Sequence, residues 1–430
     1  MGADTQLIDG IYKDYYEDFV AEQVNNRNPL KDLFKTENKG FTGREVVYSS
    51  HVGRNVSPMF VGEDSAFADA GNQSHIQIRV GQKKLMARVR MTYEAMKDSM
   101  SSEGAFKAAR RDEMDSLIQD IARREEYALA TDGRGILCLV NGAANSATQT
   151  LDSPGGVTGA DFGNRFLQVG MYIGFVNPAT GTLRSSSAKK VTAISSDGTQ
   201  VTLDSAFNST DNDYIVQVAN SSVTDIADTS FENAFWGVMA LVDDGTYRDN
   251  YFGASRTNNP GYKSYVKAST GALSVDLLQQ TADVMDQKLG GRPTDLIMHH
   301  SIRRLYLQVA DPDRRYTGQD LKSPDAGTAA FTQGDITVGE VPIRVVRDFP
   351  LATIVIADKK GSGFTKYESE PGKWVDEDGS VLARVGTGST GRDSFEAWYR
   401  VRRQYHAKFP GKSARLDGIT GQTLVVVSPL

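Results

Sequence analysis

Between Glu103 and Asp132, apolar residues recur at spacings of three and four: Phe106, Ala109, Met114, Leu117, Ile118, Ile121, Ala122 and Ala128. That period predicts an amphipathic helix over 101–132, capped by Ser101 and Ser102, with Glu103 favoured by the dipole in the first turn and Gly133 past the end. Burial of Met114, Leu117, Ile118 and Ile121 would contribute on the order of 6–12 kcal/mol before chain entropy is subtracted. Arg110, Arg111, Asp115, Asp120, Arg123 and Arg124 form the opposite face, left to water or to a partner. Upstream the period changes to two. Ile76, Ile78 and Val80 alternate, then Leu85, Ala87, Val89 and Met91 alternate one register later, and the break near Gly81 predicts a bulge. Val46 and Tyr48 open a partner strand. The connection from Gly53 to Gln73 runs to about twenty residues of Gly, Asp, Ser and Ala, where a hairpin loop usually has two to five. It is either an arm lying on a neighbouring subunit, which would satisfy its backbone and bury Phe60 and Phe67, or an ordinary surface loop.

Elsewhere the same two periods divide the chain. Residues 5–24 predict a helix with Leu7, Ile8, Ile11, Tyr12, Tyr15, Tyr16, Phe19 and Val20 on one face. Its tyrosine stripe packs against the chain's own body or against another subunit. Asn141–Gly163, rich in Gly, Ala, Ser and Thr, reads as a linker. From Phe166 to Val218 short apolar runs separated by turns, with Asp197-Gly198 as a hairpin turn, predict a small all-β barrel or sandwich. Helices are expected from Ser230 to Leu241, from the Ser274 cap to Gly290-Gly291, and from a Ser301 cap through Val309. Strands at Leu296–Met298, Ile336–Val338, Ile343–Val346 and Thr353–Ala357 interleave with them, which makes an α+β or α/β unit. Phe395, Ala397, Tyr399, Val401, Tyr405, Ala407 and Phe409 alternate with Glu396, Arg400, Arg402, Gln404 and Lys408 in one long strand. Leu424–Val427 adds a last one.

Composition narrows the function. A formal net charge of −6 excludes a bulk nucleic-acid binder that works by excess Lys and Arg. The single cysteine, Cys138, excludes an internal disulfide framework and a multi-cysteine metal site, and its apolar neighbours predict a buried side chain. The N-terminus lacks a signal pattern, and no apolar run approaches the ~20 residues of a membrane helix, so a cytoplasmic setting is expected. Gly386–Gly391 matches a dinucleotide fingerprint, but strand periodicity follows it where a helix must hold the pyrophosphate. Gly411-Lys412-Ser413 has His406 where a phosphate loop needs its first glycine. The adjacent His299 and His300 point to opposite faces if extended, and Ser301 is accounted for as a cap. No enzyme chemistry, cofactor or metal site is indicated. The pairs Arg303-Arg304, Arg314-Arg315 and Arg402-Arg403 read as solvated faces or salt-bridge partners.

In its order of elements the chain resembles the major capsid protein of tailed bacteriophages, with the HK-ninety-seven-type shell fold. The resemblance rests on Asp243-Asp244-Gly245-Thr246-Tyr247 with Tyr251-Phe252-Gly253, the Leu273–Leu289 helix, Leu296–Leu305 and Val338-Gly339-Glu340-Val341-Pro342-Ile343. It implies an α+β phage major-capsid fold with an inserted small all-β module. The implied parts are an N-terminal arm (1–44), an extended hairpin loop (45–92), a peripheral domain with a spine helix (93–140), a linker and inserted β module (141–222), an axial domain (223–365) and returning peripheral strands (366–430). The module is a departure from the minimal fold. Implied partners are further copies in hexamers and pentamers, a portal, scaffolding or decoration proteins, and packaged double-stranded DNA held by weak non-specific contact, with no membrane. Inter-subunit contact is expected at Tyr12, Tyr15, Tyr16, Phe60, Phe67, Lys83, Lys84, Arg110, Arg111, Arg123 and Arg124. Some family members crosslink a loop lysine to a neighbour's asparagine, but no acceptor can be matched to Lys83 or Lys84, and that activity is not carried over. An encapsulin-like compartment and a nucleotide-dependent enzyme using Gly386–Gly391 are the alternatives.

Overall fold

A computed structural model describes residues 29–37, 44–94, 103–157, 162–310, 337–338, 341–376, 383–385 and 393–421, excepting the side chains of 103–112, 115, 310, 337–338 and 383–384. The predicted N-terminal helix with Tyr12, Tyr15 and Tyr16, the side chains of Arg110 and Arg111, the Arg314-Arg315 pair, the Gly386–Gly391 stretch and the Leu424–Val427 strand lie outside the described residues.

The long strand Ser394–Ala407 organises the first sheet. On one edge it pairs antiparallel with Lys83–Thr92, from Ser394 opposite Thr92 to Arg403 opposite Lys83. On the other it pairs with Phe364–Trp374, which in turn takes Lys35–Glu37 in parallel. The helix Glu103–Ala130 lies against this sheet, and its Met114, Ile118 and Ile121 share a core with Val89, Ala397 and Tyr399. About 3.6 residues per turn bring those side chains to one face. The last helical turns are different, since Tyr127, Ala128, Leu129 and Ala130 are all buried. The predicted polar face of the long strand is also partly covered: Glu396 and Gln404 are buried, Arg400, Arg402 and Lys408 are half-buried, and His406, two residues past Gln404, is buried as well. Alternation gave the strand correctly, but both of its faces are packed here.

A six-stranded sheet carries the second core, in the order Tyr265–Lys267, Ala414–Leu416, Ile354–Ala357, Asp295–Met298, Val341–Val345, Thr337–Val338. Helices Val275–Leu289 and His300–Ala310 contribute Leu277, Leu278, Met285, Ile302 and Tyr306 to it. Ser274 caps the first of these as expected, accepting from the Leu277 amide at 3.1 Å, and Gly290 ends it in the left-handed conformation at φ +68°. Ser301 is not a cap. The second helix opens one residue earlier, the His299 carbonyl accepts from the Ile302 and Arg303 amides, and the Ser301 hydroxyl instead meets His299 Nδ1 at 2.7 Å.

The β module is a closed barrel. Its ring runs Tyr214–Gln217, Ile136–Val140, Ala144–Asp152, Gln200–Ser209, Lys189–Ile194, Tyr172–Asn177 and back to Tyr214–Gln217, with the short Thr182–Leu183 strand outside the ring. Two sequence expectations are corrected here. The segment from Asn141 read as a linker supplies the nine-residue strand Ala144–Asp152, whose small and polar residues sit on the solvated side while Gln149 and Leu151 are buried. The predicted helix from Ser230 shrinks to Val238–Leu241. Glu232 takes a positive φ of 57° with its amide on the Arg134 carbonyl, and Trp236 donates to the Gln404 side chain at 3.0 Å, so the preceding backbone is committed to turns.

Two buried ionic networks join these units. Asp243 accepts from Arg256 at 3.0 Å and from Arg415 at 3.1 Å, with all three side chains buried, and the two guanidinium groups also satisfy the carbonyls of Met239, Ala240, Leu241 and Val242. Carbonyls at the end of a helix lack partners within it, and here arginines from two distant segments supply them. In the second network, Glu125 of the spine helix meets Arg403 at 2.8 Å, Lys31 at 2.6 Å and the Tyr405 hydroxyl at 2.6 Å.

Candidate inter-subunit surface

Strands Glu45–Gly53 and Ser74–Gly81 pair antiparallel, with Glu45 opposite Gly81 and Gly53 opposite Ser74. One face of this hairpin, with Ser50, Ile78 and Val80, is buried on the body, and the Arg79 amide donates to the Phe252 carbonyl at 3.0 Å. The other face carries Val47, Ser49, His51, His75, Gln77 and Arg79 to solvent. The expected bulge near Gly81 is a change of sheet: after Gln82 the chain leaves the hairpin and pairs with the long strand instead. A register shift by one residue is what such a transfer requires, because it turns the apolar set toward a new layer.

Residues 54–73 form no strand or helix. Local hydrogen bonds shape them, from the Ser57 amide to Asn55 Oδ1 at 2.9 Å and from the Ser65 amide to the Gly62 carbonyl at 3.3 Å. Their large apolar side chains face outward: Phe60 is 105% exposed, Phe67 88%, Val56 86% and Met59 57%. Two exposed phenylalanines cost roughly 1.5–3 kcal/mol each relative to burial.

The other predicted contact residues separate into two groups. Lys83 is used within the subunit, donating to the Glu232 carbonyl at 2.6 Å, whereas Lys84 is exposed. Arg123 is exposed on the spine helix. Arg124 is half-buried, with its guanidinium 5.0 Å from the Tyr127 ring, and among the described residues no carboxylate pairs with it. Arg88 and Arg90 lie near Glu396 at 3.5 and 3.9 Å. A cleft runs between Lys83–Thr92, the return strand of the hairpin, the spine helix Glu103–Ala130 and the barrel, opening into spaces of about 250 and 640 Å³ that share Leu85, Met86, Arg124, Tyr127 and Gln217. Lys84, Arg123 and Arg124 stand out singly in the sequence, but this cleft does not, because the barrel wall comes from residues far along the chain.

His299 and His300 lie with ring centroids 5.6 Å apart and nearly perpendicular. Burial, then Arg165 and His300, push the His299 pKa down to about 3. Among the described residues, no group of three or more His, Cys, Asp or Glu is arranged to hold a metal ion, and no helix is long and apolar enough to cross a membrane. Cys138 is fully buried, and burial raises its thiol pKa well above the usual range.

No protein-family model matches the chain, and no curated protein matches its sequence. Among solved structures the fold is similar to the cyanophage A-1(L) capsid asymmetric unit, with a TM-score of 0.53 at 10% identity over 92% of this chain and 93% of that one. The capsid of Myoviridae phage XM1 aligns at 9% identity over 90% of each chain, with a TM-score of 0.44. The capsid of a native GTA particle aligns at 11% identity over 91% of this chain and 90% of that one, also with a TM-score of 0.44. The cyanophage match carries the fold assignment, an α+β phage-capsid fold.

Proposed function

We propose that this chain is a structural major capsid protein, which self-assembles through hexamers and pentamers into an icosahedral phage head enclosing double-stranded DNA. The observation that carries the reading is the arm: a hairpin anchored on the body by Ile78 and Val80 holds out a tip whose Phe60 and Phe67 find no cover among the described residues of their own subunit. A shell explains this, since a second copy supplies the missing surface. Interfaces between like subunits need one patch to fit another on the same molecule, and rings follow when the rotation closes. The capsid-like fold supports the same reading.

On this reading the protein acts by forming interfaces rather than by chemistry. It resides in the virion capsid and assembles in the host cytoplasm. A portal, scaffolding or decoration proteins are its other partners, and it touches packaged DNA weakly. A net charge of −6 suits a lining that must not grip DNA. Electron microscopy of the expressed protein, with and without scaffold, tests this. Shells are expected, and a subunit that stays monomeric under all assembly conditions would sink the proposal. Deleting Gly53–Gln73 should leave a folded subunit that does not assemble, and normal shells from that deletion would remove the arm from the mechanism.

A further inference from the structure

All five histidines of the chain lie among the described residues, and two of them stand opposite each other on the solvent face of the hairpin. His51 on the first strand pairs with His75 on the second, both side chains are exposed, and their ring centroids are 5.1 Å apart with the planes tilted by 50°. We propose that this pair is a chelating site for a transition-metal dication such as Zn²⁺, which staples the hairpin at the root of the arm tip.

Three observations carry the inference, and none of them depends on the shell reading. The first is spacing. Residues directly opposite in an antiparallel pair hold their Cβ atoms about 4.5–5.5 Å apart. A tetrahedral metal bound at about 2.0–2.1 Å by one nitrogen of each imidazole sets the two ring centres roughly 5 Å apart, which is the separation found here. The second is a firm platform. Ser50 and Ile76, the adjoining pair, face the other way, where Ser50 is buried and Ile76 packs on the core. The backbone beneath the two rings is therefore pinned to the body before any ion arrives. The third is availability. His299 Nδ1 is taken up by the Ser301 hydroxyl at 2.7 Å and His406 is buried against Tyr367, whereas both rings of the hairpin pair face water.

Imidazole nitrogen selects Zn²⁺, Ni²⁺ and Cu²⁺ over Mg²⁺ and Ca²⁺, which prefer oxygen. Ser49 and Gln77 form the next pair on this face and are weak ligands for such ions, so water fills the remaining positions of the metal. Arg79 lies one pair further on and leans on Gln77 Oε1 at 3.3 Å. On the side of the tip only Gly53 opposite Ser74 follows before the strands part. Pairing frays first at such an end, and a metal bridging the two strands there holds both roots of the tip together.

The test titrates the full chain, without an affinity tag, with Zn²⁺ in a calorimeter. One saturable site per subunit is expected, unmoved by excess Mg²⁺. His51→Gln and His75→Gln should each weaken it by about tenfold or more, the least that even outer-shell changes cost a metal site, while His300→Gln binds as the parent does. Zn²⁺ should also slow amide hydrogen exchange in 45–53 and 74–81 of the parent and not of the two hairpin variants. Absence of a saturable site, or undiminished binding by either hairpin variant, overturns the chelate. Binding that leaves the exchange unchanged overturns the staple. None of these outcomes bears on shell formation, and a chain that forms no shells still tests the site.

Discussion

Glu125 and Arg403 are 278 residues apart in sequence and 2.8 Å apart in space, with both side chains buried. Burial favours the neutral form of Glu125, yet Arg403 and Lys31 outweigh it and hold its carboxyl below the ordinary range. The pair fastens the spine helix to the long strand. Arg403 also reaches Glu368 at 2.9 Å and the Pro371 carbonyl at 2.7 Å, and Lys31 brings in the segment before the first strand.

Removing one partner of a buried ion pair leaves the other charge uncompensated. Glu125→Gln should therefore cost on the order of 3–5 kcal/mol in denaturant unfolding of the subunit. Glu125→Gln with Arg403→Met should cost clearly less than the sum of the two single changes. Additive losses would show that the contact does not couple the helix to the strand.

Acid should expose the buried histidine of the same strand. His406 stacks on Tyr367 with centroids 4.4 Å apart, and burial, then Lys408, push its pKa down to about 3. The unfolded chain takes up the proton first, so stability is full above pH 6.5 and falls as pH drops toward the folded value. Between pH 7 and 5 the natural protein should lose about 2 kcal/mol relative to His406→Phe. Glu126 acts in the opposite sense. Burial, then Asp348, raise its pKa to about 7, so it destabilises the fold as pH rises from 4.5 to 7, and Glu126→Gln should steepen the acid dependence. Parallel pH profiles for all three proteins would contradict both assignments.

The tip aromatics should matter to assembly alone. Because Phe60 and Phe67 are exposed in the subunit, Phe60→Ser and Phe67→Ser should change its unfolding free energy by less than about 0.5 kcal/mol. Particle yield by sedimentation should nevertheless collapse. A stability loss of several kcal/mol in the isolated subunit would mean that the tip packs on its own body.

Gly237 sits where the backbone crosses the end of the spine helix, and a Cβ there would collide with the carbonyl oxygens of Thr131 and Ala128. Gly237→Ala should cost about 1–3 kcal/mol or more, since backbone on both sides must shift. Gly261→Ala, with open space around the added carbon, should stay within about 0.5 kcal/mol of the parent in the same thermal melt.

Periodicity and local chemistry determined a good deal of this protein by themselves. The spacing of Met114, Ile118 and Ile121, the alternation through Ile76–Val80 and Phe395–Ala407, the Ser274 cap and the Asp197-Gly198 turn each depend on neighbours a few residues away, and each is present in the structure. The disproportionate length of Gly53–Gln73 set it apart for the same local reason, and residues 54–73 form no strand or helix. Only the tertiary structure decided where polar groups would be buried and which strands would meet. Arg403 reads in sequence as a solvated charge or a salt-bridge partner without saying to what, and only the fold brings Glu125 to it, because a charge is buried only when its counter-charge arrives from elsewhere in the chain. The strand Ala144–Asp152 looks like a linker until the barrel gives it two neighbours, since sheet pairing satisfies backbone groups without asking for apolar side chains. The cleft beside Arg124 is set by the same long-range packing, since its walls come from the return strand, the spine helix and the barrel.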